Sequence, residues 1–319
     1  MTGKKLSVID SGFMSSLFLR YKFRPVYDLF VRGWIKKILK KLPPIDIAWC
    51  FETNIIHDLG VFTGKKIFHV VDPIDKRMVS TGKKADCIIC VSDRILQQFE
   101  KIKVKKRFVN HALSDSAIDA AGKLKLHGSS SGQRLRAGYV GNLTRKIIDV
   151  PVIVNIVQRS PVTDFHFWGP GDIDNSLGGE TSVLIQSIRH LPNVFFHPPV
   201  ASSALIPAIS GMDLFLLAYK TIDNLYDSSN SHKLLEYWAT GKMVVSTYID
   251  QYRDEENSYL LEMSPEHKNE LLPDIFAKVA EDIEKWNSEE MMMKRRAFAL
   301  SQSYSKNAKT ILALLEEEQ

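Results

Sequence analysis

The sequence predicts an α/β protein built from two doubly wound domains. Short apolar segments rich in β-branched residues alternate with helix-length amphipathic ones through most of the chain, several of the short segments end in glycine, and a glycine–serine stretch divides the run in two. At 319 residues, 45% hydrophobic and 25% charged, the chain is long enough to bury two such cores.

In the first half, residues 6–9 read as a short strand, with no glycine-rich turn after it. Over residues 27–42, Val31, Trp34, Ile35, Ile38, Leu39 and Leu42 recur at helical spacing, with Lys36, Lys37, Lys40 and Lys41 opposite. This is a basic amphipathic helix, which either packs on its own sheet or lies on an anionic membrane surface. Residues 1–43 carry ten Lys/Arg against Asp10 and Asp28, a local excess of +8. After Pro43-Pro44, residues 45–51, 66–71 and 85–91 read as strands buried on both faces; Ser92 caps a helix over 93–102, and 108–109 make a further strand. Cys87 and Cys90 fall three apart in a predicted strand, where they face opposite ways and read as buried thiols rather than a redox or zinc pair.

The cysteine count is three, an odd number confined to the first third, which argues against a disulfide framework and for a reducing compartment. With no apolar run of about 18 residues and no signal-peptide core, the expected location is cytoplasmic. A net charge of +5 and the lack of any nucleic-acid-reading motif exclude nucleic acid as an expected partner.

Residues 122–134, GKLKLHGSSSGQR, read as a linker, giving domains over 1–128 and 134–319. Beyond it, strands are expected at 137–140, 165–168, 194–197, 213–217 and 243–245, with helices at 148–158, 182–190 and 203–210 between them. A further helix carries Leu234, Leu235 and Trp238 and is stopped by Gly241. That is a unit of five parallel strands. Helices over 266–286 and 289–318 finish the chain, the last long enough to reach back across the interdomain cleft.

Ligands of such a sheet gather at the carboxyl ends of its strands. Four loops meet there: Gly141-Asn142-Leu143-Thr144-Arg145-Lys146, Gly169-Pro170-Gly171, His197-Pro198-Pro199 with Val200, and residues 229–236 with Ser231 and His232. Glycines after strands let backbone amides approach a phosphate; Arg145 and Lys146 add charge there, or form a solvated turn. Lys233 falls in a first helical turn, where the dipole disfavours a cation, and its position makes sense if an anion sits beside it. Glu236, one turn on, could accept hydrogen bonds from sugar hydroxyls. Tyr219 is either an aromatic at the edge of the core or a platform beside a nucleotide.

The segments GYVGN (138–142), FWGPG (167–171), DLFLLAY (213–219) and SHKLLEYWATGKMVVST (231–247) together resemble the nucleotide-sugar domain of GT-B glycosyltransferases. FHVVDPID (68–75) and ADCIICVSD (85–93) are similar to paired strands of the other domain, so the resemblance covers most of residues 66–250. Within the superfamily it leans toward bacterial enzymes of surface-polysaccharide synthesis, of the teichuronic-acid and xanthan type. The resemblance implies two Rossmann-like domains (GT-B); set against it, the N-terminal one is short by one or two β-α units, being either truncated or reduced. It also implies metal-independent transfer of a sugar from a UDP- or GDP-linked co-substrate, with no cofactor, to a saccharide or lipid-linked acceptor. A chain with that acceptor and a basic helix would sit peripherally on the inner face of an anionic membrane.

Carried onto this chain, the resemblance makes Lys233 the diphosphate ligand, assisted by Arg145 or Lys146, and Glu236 a ligand of ribose or sugar hydroxyls. The backbone at His197 and Val200 would face the base, and Gly141, Asn142, Gly169, Tyr219, Ser231 and His232 would line the donor. Asp72 resembles an acceptor-activating base, or is a turn residue before Pro73; Asp75, His69 and His111 are the alternatives. One departure concerns stereochemistry. Many retaining members carry a glutamate eight residues before the Glu236 position, where this chain has Ser228, with Asp227 one place off. An inverting mechanism is therefore at least as well supported. A nucleotide-sugar epimerase or phosphorylase of similar architecture, and a non-catalytic nucleotide-sugar-binding subunit, are the competing readings.

Overall fold

The computed structural model describes residues 8, 17–51, 55–72, 74, 76–129, 133–171, 182–221 and 230–317, and the chain separates into two units, each with its own parallel sheet. The first unit holds β1 (Ile47–Cys50), β2 (Lys65–Val70), β3 (Cys87–Cys90) and β4 (Lys105–Phe108), in the spatial order of the chain. Every pairing is parallel. β3 is buried along its whole length, as its Cys-Ile-Ile-Cys composition requires of a central strand. Burial pushes the Cys87 and Cys90 thiols up to about 11 and about 12, so both are inert protonated thiols at neutral pH. The fourth strand starts three residues earlier than its apolar end suggests, because β4 lies at the sheet edge, where lysines are tolerated.

Two helices precede β1: α1 (Leu17–Lys22) and α2 (Arg24–Leu39). Tyr27, Val31 and Ile35 of α2 are buried in a small core with Val61. Of the strand expected at residues 6–9, only Val8 is described, and it is exposed.

The second unit begins earlier than the glycine–serine stretch. A helix α3 (Asp93–Gln97) follows β3, and the second unit takes over from Val109. Its first helix, α4 (Asp115–Lys123), is capped by Ser114 Oγ, which accepts from the Ala117 amide at 3.2 Å. The helix sends Ala117 and Ala121 into the second core, so residues 109–128 fold with the second sheet rather than ending the first.

That sheet has six strands, one more than expected. They are β5 (Leu135–Val140), β6 (Thr163–Trp168), β7 (Val194–His197), β8 (Leu214–Leu217), β9 (Met243–Ser246) and β10 (Leu261–Met263). Their order is β10-β9-β8-β5-β6-β7, all parallel. β10 has three residues and a polar centre, Glu262, which left no alternation to read. Connecting the strands are α5 (Val150–Arg159), α6 (Val183–Ile188), α7 (Ser202–Ile209) and α8 (Lys233–Ala239). Strand order reverses between β5 and β8, which is where an open α/β sheet leaves a crevice for ligand.

The chain closes on four helices instead of two: α9 (Leu272–Glu281), α10 (Ile283–Trp286), α11 (Glu289–Ser301) and α12 (Tyr304–Glu316). The break at Gln302-Ser303 has a partner. Leu113 donates to the Gln302 carbonyl at 2.9 Å, and the Tyr304 amide donates back to Leu113 at 3.2 Å. From Ala313 on, the residues of α12 group with the first unit.

Candidate functional site

Two glycines tie together the carboxyl ends of β5, β6 and β7. Gly141 donates its amide to the Trp168 carbonyl at 2.9 Å, and Gly169 donates to the His197 carbonyl at 3.4 Å. Gly169 has φ +144°, and a Cβ there would meet the Gly141 oxygen at 1.9 Å. Only glycine lets the two loops stack this closely. Asn142 builds the first loop rather than reaching outward, its side-chain oxygen accepting from Thr144 N at 2.9 Å and Thr144 Oγ1 at 2.8 Å.

Lys233 enters this corner from α8. A Cβ on Gly141 would lie 2.5 Å from Lys233 Nζ and 3.4 Å from the Tyr139 hydroxyl, so the ammonium rests against bare backbone. Its hydrogen bond goes to the Tyr219 hydroxyl at 2.6 Å, and it lies 5.5 Å and 5.2 Å from the Tyr139 and Tyr219 ring centres. Burial, with Tyr219 and Tyr237 nearby, pushes the Tyr139 phenol well above its usual 10, the Arg145 charge pulling weakly the other way. Thus Gly141, Gly169, Tyr219 and Lys233 come together at the reversal point of the sheet, with Arg145 exposed in the loop that follows Gly141. Helix α8 has only seven residues, and rings and a hydroxyl hold the lysine, which lessens the weight of the dipole argument.

Glu236 sits one turn along α8 and is half-buried. Burial raises its carboxyl from 4.5 to about 7, against the pull of the Lys233 charge. Next to it, the Tyr237 hydroxyl accepts from the Val140 amide at 2.8 Å, and its ring stacks on Phe215 at 4.2 Å. These bonds lock α8 onto the end of β5. Ser231 and Tyr219 line a small cleft shared with Lys220, Thr247 and Tyr248.

Other expected residues lie apart from this corner or act differently. Lys146 is exposed in the β5 loop. His197 ends β7 and Val200 follows it, separated from β5 by β6. The His197 ring stacks on Trp168 at 4.4 Å and shares a 2.9 Å hydrogen bond with His166, so its side chain is committed to the sheet face. In the first unit, Asp72 is exposed two residues past β2 and His69 packs on Phe51 and Trp49. Asp75, Asp227 and Ser228 lie outside the described residues.

His111 belongs to the second unit, not the acceptor side. Its ring is 6.0 Å from the exposed His232, and burial together with that neighbour lowers it to about 4, so it is neutral at pH 7. Sequence reading passed over Tyr139, Tyr237 and Asn110. Asn110 accepts from Asn230 at 2.6 Å, donates to the Tyr252 hydroxyl at 3.2 Å and gives its carbonyl to Asn307 at 2.8 Å. It thereby pins the residue before Ser231. A polar residue just after a strand was its only signal.

Among the described residues, no group of three or more His, Cys, Asp or Glu is placed to hold a metal ion. One Asp-x-Asp triplet, Asp172-Ile173-Asp174, occurs in the chain and lies outside the described residues.

Two parallel-sheet units of this kind, with a crevice at the strand reversal, define the GT-B fold. No protein-family model matches the chain, and no curated protein sequence matches it. Solved structures do. Sucrose-phosphate synthase from Thermosynechococcus elongatus matches with a TM-score of 0.66 at 13% identity, over 93% of this chain and 79% of that one. Anabaena HepE in complex with UDP-glucose matches with a TM-score of 0.61 at 13% identity, over 88% and 82%. S. aureus TarM, in complex with UDP among other ligands, matches with a TM-score of 0.59 at 13% identity, over 90% of this chain but 59% of its own. The chain thus spans well under two thirds of TarM.

Proposed function

We propose that the protein is a glycosyltransferase that moves a sugar from a nucleotide-diphospho-sugar to a saccharide or lipid-linked acceptor. One observation carries the reading: at the point where strand order reverses, the Lys233 ammonium is held against the bare backbone of Gly141 by the Tyr219 hydroxyl. A cation on a glycine ledge, with the exposed Arg145 in the loop that the ledge begins, suits a diphosphate that accumulates negative charge as the sugar leaves.

In this mechanism Lys233 and Arg145 stabilise the departing diphosphate, so no metal is required. Glu236 accepts from ribose or sugar hydroxyls once ionised, and its pKa of about 7 puts that state within reach at neutral pH. Asp72, exposed at the carboxyl end of β2, is the base that takes the acceptor proton, with inversion at the anomeric carbon. The UDP bound in TarM and the UDP-glucose bound in HepE favour a uracil base. Surface-polysaccharide synthesis at the cytoplasmic face of a membrane is the setting that fits a lipid-linked acceptor.

Calorimetry with UDP, GDP and dTDP tests the donor half. The expected result is saturable UDP binding; no heat from any of the three, in protein with a cooperative unfolding transition, refutes it. Radiolabelled sugar transfer from UDP-sugars to lipid-linked saccharides tests the acceptor half.

A further inference from the structure

Helix α2 has two unlike faces. Tyr27, Val31 and Ile35 turn into the first unit, so the stripe that sequence spacing offers to a membrane is mostly consumed by the protein itself. At 100° per residue the opposite face runs through Val26, Leu29, Phe30, Gly33, Lys36, Lys37 and Lys40, and each of these is exposed. Leu29 is 72% exposed and Phe30 66%. Helix α1 and its junction add Phe18 and Phe23, also exposed, with ring centres 5.8 Å apart. One surface strip therefore holds five large apolar side chains at its front and three lysines behind them. Large apolar side chains gain by leaving water, which makes an uncovered strip of five a docking surface.

Charge selects the occupant. Residues 17–43 hold eight Lys/Arg against Asp28 alone, and the Asp28 carboxylate is already engaged by His57 at 2.6 Å. Pairing with a second copy across a two-fold axis would set those bases against the same bases. No described helix is long and apolar enough to cross a membrane, so the strip can only lie on one. We propose that α1 and α2 dock on an anionic phospholipid bilayer. Phe18, Phe23, Val26, Leu29 and Phe30 enter the headgroup boundary, while Lys36, Lys37 and Lys40 meet lipid phosphates. The surface belongs to the first unit alone and stands independently of the donor site.

The test is co-sedimentation of the full chain with vesicles of phosphatidylcholine, with and without about 30% phosphatidylglycerol, a level that gives a strongly negative surface. The protein should pellet with the anionic vesicles and stay in solution with the neutral ones. Leu29→Ser/Phe30→Ser should cut partitioning at least ~10-fold. Lys36→Gln/Lys37→Gln/Lys40→Gln should cut it about 5-fold per lysine, an effect that added salt reproduces in the wild type. UDP titrations on the same variants should match wild type, which keeps this result separate from the donor reading. Failure of the wild type to pellet with anionic vesicles overturns the proposal, as does undiminished pelleting of Leu29→Ser/Phe30→Ser. A concentration-dependent dimer that this variant dissociates, without vesicle binding, assigns the strip to a second copy instead.

Discussion

Replacing Glu236 by glutamine isolates what burying a carboxyl beside Lys233 does to the fold. Burial carries its titration from 4.5 to about 7, which corresponds to on the order of 3 kcal/mol in favour of the protonated form. Because the folded value is raised, the native state binds more protons than the unfolded chain between those two pH values. Wild-type stability from this group is complete below pH 4.5, falls as pH rises to about 7, and stays at its lowest above that. His111 runs the other way: its value is depressed from 6.5 to about 4, so its contribution is complete above 6.5 and lost as pH falls toward 4. Over the shared window the two slopes oppose each other, and a flat wild-type profile would hide both.

Glu236→Gln removes one slope and leaves the other. Urea unfolding of the second unit should give equal stability for variant and wild type at pH 4.5. By pH 8 the variant should be more stable by up to ~3 kcal/mol, or roughly 6–12 °C in Tm. The variant's own stability should then rise with pH from 4 to 6.5. A difference between variant and wild type that is constant from pH 4.5 to 8 would refute the reasoning, since it would mean Glu236 titrates normally in the fold.

Three further substitutions test the loops and the base. Gly169→Ala drives a methyl into the Gly141 carbonyl and should cost roughly 3 kcal/mol or more, whereas Gly211→Ala, whose Cβ meets its nearest atom at 3.5 Å, should shift Tm little. Asp72→Asn should leave UDP binding unchanged in calorimetry while lowering sugar transfer by about 10²–10⁴-fold, the contribution of a general base; equal transfer by the variant removes Asp72 from the mechanism.

Much of the second unit was legible because its strands are buried on both faces and end in glycine, as at Val140-Gly141 and Trp168-Gly169. Lys233 was legible as an oddity, a cation in the first turn of a helix. Its true support was not, because Tyr139 and Tyr219 approach it from two different strands and only the sheet order makes them neighbours. The linker misled for a physical reason. Glycine and serine mark where the chain bends, but the core changes hands at Val109, where Leu113, Ala117 and Ala121 begin to pack on the second sheet. The helix over residues 27–42 was found, yet its exposed apolar face lies at Val26, Leu29 and Phe30 instead of the residues nearest its lysines. Periodicity locates a stripe without saying which side the fold covers.

The donor site rests on Lys233 meeting a diphosphate, and calorimetry of Lys233→Ala with UDP and with uridine tests that contact alone. A charged hydrogen bond of about 1.5–3 kcal/mol predicts UDP affinity lower by roughly 10- to 100-fold with uridine affinity unchanged. UDP binding equal to wild type, or an equal loss for both ligands, would contradict it.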